Sequence, residues 1–88
     1  MDTESILDEL LDLAEQLDIE LGKEYLDGQG GGICKLRDKW VLFIDTAASE
    51  AEQLAQTAAA LANRNELEQI YLKPQIREIL NEYRTQQD

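Results

Sequence analysis

Ile6, Leu10, Leu13, Ala14 and Leu17 fall at i, i+4, i+7, i+8 and i+11. That period lines one side of a helix over about residues 4–17, with acids on the other side and Thr3 or Asp2 available as its cap. Leu11 borders the stripe. From Ile19 the period shortens to two: Ile19, Leu21 and Tyr25 alternate with Glu20 and Glu24, as in a strand with one wet face. Gly22 weakens that run and marks a possible bulge.

Beyond a glycine-rich stretch, Cys34 and Leu36 point one way and Lys35 and Arg37 the other, which gives a second strand. Arg37-Asp38-Lys39 reads as a turn. The unbroken apolar run Trp40-Val41-Leu42-Phe43-Ile44 reads as a third strand covered on both faces.

Ser49 and Glu52 have the S-x-x-E spacing of a capping box, so a second helix begins there. Its inner side carries Leu54, Ala55, Ala58, Leu61 and Ala62, and it ends near Asn63-Arg64-Asn65. The alanines bring its backbone close to a sheet. Residues 67–72 fit a short strand, an ambiguous assignment. Pro74 suits the first position of a third helix, in which Ile76, Ile79, Leu80 and Tyr83 recur at helical spacing. The expected class is α+β in one domain over residues 1–88. Its N-terminal helix is followed by a three-stranded antiparallel meander and two C-terminal helices packed on the sheet.

Composition narrows the chemistry. Eighty-eight residues suffice for one domain. Nineteen acids against 8 bases give a formal charge of -11, which repels phosphate backbones and anionic membranes; neither nucleic acid nor membrane is an expected partner. The N-terminus carries acids where a secretory signal carries bases, and no apolar run is long enough to span a bilayer, so a cytosolic chain is expected. The acids crowd the front: Asp2, Glu4, Asp8, Glu9, Asp12, Glu15, Asp18 and Glu20 all precede Lys23. Such a face keeps a small protein soluble; it also suits docking onto a basic protein.

The stretch Gly28-Gln29-Gly30-Gly31-Gly32-Ile33-Cys34 invites three readings. A nucleotide loop needs a helix after the glycines, and here a strand follows; G-x-G-x-x-G fails at Ile33. The structural reading is a bend between the first two strands, and a glycine flap beside a cleft is the alternative. Cys34 lacks a histidine partner, since the chain has none, and reads as a small buried hydrophobe, with an exposed thiol under the loop as the lesser reading. Without histidine the usual zinc and copper sites are absent, no D-x-[DN]-x-[DN]-G loop occurs, and no cofactor is expected. No residue is assigned a catalytic role. A site around the loop would draw on Glu24, Asp27, Gly30, Gly31, Cys34 and Asp45.

Two resemblances are visible. With L-D-I-E-L, G-G-I-C-K-L, V-L-F-I-D and later I-Y-L-K-P-Q-I-R-E-I-L, the chain resembles a group of small bacterial proteins of uncharacterised function over most of its length, which implies a fold unit and no activity. The helix, strand, G-G-I-C hairpin and apolar strand are also similar in layout to the front of the ImmA/IrrE-type zinc peptidases. In that family the next helix carries H-E-x-x-H; here it reads Ala51-Glu52-Gln53-Leu54-Ala55. Alanine stands where both ligands would, so the resemblance implies neither zinc nor an activated water.

The leading expectation is a non-enzymatic cytosolic protein that acts by association, as a homodimer. The third strand has apolar side chains on both faces, and either helices clamp it or a second copy covers what they leave. Ile33, Val41 and Phe43 are the interface candidates. The alternatives are a ligand or enzyme site at the glycine loop, and an acidic decoy that binds a basic protein through the first helix.

Overall fold

A computed structural model of the chain describes residues 2–27 and 31–84. The first helix, α1, spans Thr3–Gln16; Asp2 is its N-cap, its carboxylate accepting the Ser5 N–H at 2.8 Å. Leu7, Leu10, Leu13 and Ala14 are its buried residues, while Ile6, Leu11 and Leu17 pack half-buried at the margin. Asp18 then takes φ 62, a left-handed conformation that aspartate tolerates better than most residues, and turns the chain into the sheet.

Strands β1 (Ile19–Glu24), β2 (Gly32–Leu36) and β3 (Lys39–Asp45) form that sheet in the order β1-β3-β2. β1 runs parallel to β3, and β2 antiparallel to it. The sheet is therefore mixed, and the expected antiparallel meander is corrected. Chain order alone would pair β1 with β2 and leave β3, the most apolar strand, at an edge. Placed in the centre, β3 fills its hydrogen-bonding groups on both sides. The connection from Tyr25 to Gly31 must then cross the end of β3, a gap of about 10 Å between its two flanking strands.

That crossing revises the role of the glycines. Gly28 and Gly30 lie outside the described residues. Gly31 lies against the backbone of β3: a β-carbon there would overlap the Phe43 carbonyl oxygen, so only glycine fits. Its N–H donates to Gln56 Oε1 at 3.1 Å, which ties the crossing to the second long helix. β1 and β2 are not neighbours in the sheet, so the expected bend between two paired strands does not form, while Gly31 shows a close approach of the chain that requires glycine.

Other local expectations also shift. Gly22 sits in an unbroken register from Ile19↔Trp40 to Glu24↔Asp45, so it marks no bulge. Its missing side chain makes room for a ring, since a β-carbon would stand 3.1 Å from Phe43 Cδ1. Tyr25 falls beyond β1 and is 72% exposed. The turn between β2 and β3 shortens to Arg37-Asp38, with Lys39 already paired to Leu36 and Arg37 at φ 59.

Helix α2 (Glu50–Ala62) starts at Ser49, whose hydroxyl accepts the Glu52 N–H and donates to the Glu52 carboxylate, both at 3.2 Å. Thr57, Ala58, Leu61 and Ala62 are its buried residues. Residues 65–69 form a short 3-10 helix (Asn65–Gln69) that buries Leu67; a strand over 67–72 does not form. The last helix, α3 (Pro74–Tyr83), opens on Pro74 as expected and buries Ile76 and Leu80.

α1 and α2 pack on one side of the sheet, and α3 packs chiefly against those two helices, so the expected packing of both C-terminal helices on the sheet is found for α2. The core joins Leu10, Leu13, Ala58, Leu61, Ile76 and Leu80 to Ile19, Leu42 and Ile44, with Leu21, Ile33 and Trp40 packed at its edge. Paired registers put those sheet residues on a single face. The result is two layers, helices on sheet. At the hairpin end, the Arg64 guanidinium lies 4.6 Å from the Trp40 ring centroid and Lys35 Nζ 5.7 Å from it, closing that margin with cations over an aromatic face.

Candidate functional site

Strand alternation puts Glu20, Gly22 and Glu24 of β1, Lys39, Val41, Phe43 and Asp45 of β3, and Gly32, Cys34 and Leu36 of β2 on the face turned away from the helices. Val41 and Phe43 stand outside the helix-side core. Val41 is nevertheless only 7% exposed; Phe43 is half-buried. Leu36 is 51% exposed on the same face, and Cys34 is exposed beside Val41.

The interface candidates thus divide. Val41 and Phe43 share the outer face, while Ile33 turns inward and packs against the core beneath the helices. The reading of Cys34 as a buried hydrophobe is corrected. Alternation put its side chain opposite Lys35, as found, but that face of edge strand β2 carries no helix, so the thiol is exposed.

The residues grouped around the glycine loop do not form one cluster. Asp45 is fully buried, and its Oδ1 accepts the N–H of Leu26 at 3.0 Å and of Ala47 at 2.9 Å. Its carboxylate is a staple between the crossing segment and the turn that leads to α2. Asp27 is exposed at φ 56 and accepts the Tyr25 hydroxyl at 3.1 Å. Glu24 is exposed; its carbonyl, which accepts the Thr46 N–H at 2.8 Å, extends the parallel ladder by one bond. Gly31 is held by Gln56, Cys34 lies on the outer face, and Gly30 falls outside the described residues. Gln56 was not singled out from the sequence; no pattern in a helix announces an amide that reaches a loop 25 residues earlier.

A hollow of about 320 Å³ lies elsewhere, between α1 and residues 71–76, bordered by Glu9, Asp12, Gln16, Tyr71 and Lys73. It is bridged by Lys73 Nζ and Glu9 Oε1 at 2.7 Å, a bond that raises the lysine's pKa above its ordinary value. This pair is exposed and adds little to stability. Among the described residues no group of three or more His, Cys, Asp or Glu is placed to hold a metal ion, and no helix is long and apolar enough to cross a membrane. Ala51 and Ala55 occupy the first two turns of α2.

Comparison with protein-family models, curated proteins and solved structures found no match to this chain.

Proposed function

We propose that this chain is a non-enzymatic association module whose open sheet face is covered by a second copy of itself. One observation carries the reading: on the face opposite the helices, Phe43 of the central strand is half-buried and Leu36 and Cys34 are exposed around an already buried Val41. A β-sheet that buries one face in its own core and presents apolar side chains on the other gains free energy when that second face is removed from water.

Size sets the strength. Three strands about 4.8 Å apart and some six residues long offer a face of roughly 14 by 20 Å. That is well below the ~800 Å² per partner of a standard stable interface. The association is accordingly reversible and weak.

Cys34 reports on it directly. Its thiol is exposed in the single chain and lies beside Val41 in the sheet register. The rate of its modification by a small maleimide falls several-fold as the protein is raised from about 1 µM to about 500 µM, as a site covered on association requires. A rate constant independent of protein concentration contradicts the reading.

A further inference from the structure

The helix layer carries a second surface, separate from the outer face of the sheet. Along α3 and its C-cap, Arg77, Asn81 and Arg84 recur at i, i+4 and i+7 and share one side, while Glu78 and Glu82 are turned roughly 120° away from it. That side borders an open hollow of about 350 Å³, whose apolar wall is Leu67, Ile70 and Leu72 from the 3-10 helix and the segment after it. Leu67 is buried, and Ile70 and Leu72 are half-buried. The result is a groove with a cationic wall and an apolar one.

The two arginines are exposed, and neither belongs to an ion pair among the described residues. Arg77 has Lys73, Pro74, Leu80 and Asn81 at the positions three and four residues away, so its own helix offers it no acid. Arg84 donates its Nε–H to the Ala62 carbonyl at 3.3 Å, which fixes the base of the guanidinium and leaves two terminal nitrogens for another acceptor. Arg64 is different, engaged with Glu66 at 3.1 Å and stacked on Trp40. Glu68 is the acid that borders the hollow.

We propose that this groove binds an extended acidic segment of a partner protein, with one carboxylate on Arg77, a second on Arg84 and an apolar side chain between them against Ile70 and Leu72. Charge selects the occupant. In a chain with 19 acids and 8 bases, two arginines without an acidic partner invert the sign of the surface locally, and guanidinium groups take carboxylates with two parallel bonds. At about 0.15 M salt the screening length is about 8 Å, so contacts inside the groove persist while repulsion from more distant acids is damped.

Spacing selects the motif. Seven helical residues separate the two arginines by about 10 Å along α3. In the polyproline-II conformation, residues three apart stand on one side about 9 Å from each other, whereas same-side residues of a β-strand stand about 7 or 14 Å apart. The matching segment is acid-x-x-acid, with an apolar residue at an inner position.

A fluorescein-labelled peptide GEPLEG, blocked at both ends and titrated with the full chain in about 0.15 M salt, is expected to saturate in anisotropy below about 2 mM. Replacing both of its acids by glutamine weakens binding at least about tenfold, and replacing its leucine by serine about threefold. On the protein, Arg77→Glu weakens binding at least about tenfold, with a thermal midpoint near that of the native chain showing that the fold is kept. Glu68→Gln strengthens it about threefold. Lys23→Glu makes the same change of charge as Arg77→Glu at an exposed site paired with Ile44, at the end of the sheet away from Trp40, and stays within about twofold of the native chain. Backbone amide shifts on titration fall on residues 67–84. Absence of saturation up to about 5 mM overturns the proposal, as does a Lys23→Glu variant weakened as much as Arg77→Glu. If Arg77→Glu instead lowers self-association and leaves the peptide unaffected, the groove belongs to a second copy and the proposal is overturned.

Discussion

Asp45, at the end of the central strand, accepts a hydrogen bond of 3.0 Å from the backbone N–H of Leu26, two residues past the end of the parallel neighbour strand. The same oxygen accepts the Ala47 N–H at 2.9 Å. One buried carboxylate oxygen therefore holds both the start of the crossing segment and the turn toward α2. A charged acceptor in that position is stronger than a neutral one, and its loss leaves two backbone donors without it.

Asp45→Ala is accordingly expected to destabilise the fold by about 2–4 kcal/mol, and Asp45→Asn, which keeps an acceptor oxygen, by about half as much. Urea unfolding followed by circular dichroism measures both. An alanine variant within about 0.5 kcal/mol of the native chain is incompatible with the staple.

How much of this was legible in the sequence depends on how local the cause is. The caps at Asp2 and Ser49, the start at Pro74 and the helical stripes were readable because each depends on residues within a turn or two of one another. Residues 67–72 misled because Leu67, Ile70 and Leu72 satisfy no single period; the three-residue step from Leu67 to Ile70 is that of the 3-10 turn that forms. The pairing of β1 with β3 was not readable, since alternation states which side chains share a face and leaves the neighbouring strand unspecified. For the same reason the pattern placed Cys34 opposite Lys35 correctly and could not tell which of the two faces the helices cover. The staple at Asp45 shares this cause: its partner is 19 residues away, and only the crossing brings the two together.

Thr57 is the other buried polar residue with an expected effect of definite sign. It is 1% exposed on α2, and its hydroxyl oxygen has no hydrogen-bond partner among the described residues. Burial of an unpaired hydroxyl carries a desolvation penalty that an isosteric methyl does not. Thr57→Val, which conserves shape and branching, is expected to raise stability by about 1 kcal/mol, read as an upward shift of the thermal midpoint by several degrees. A lowered midpoint would show that the hydroxyl is satisfied in solution.

The central claim is that the face bearing Val41 and Phe43 is closed by a second copy, and sedimentation equilibrium over about 10 µM to 1 mM tests it most directly. The account predicts a weight-average mass that climbs with concentration from 10.0 kDa toward about twice that value, and a Phe43→Glu variant that stays at the single-chain mass throughout. A native chain that remains at 10.0 kDa to the top of that range contradicts it.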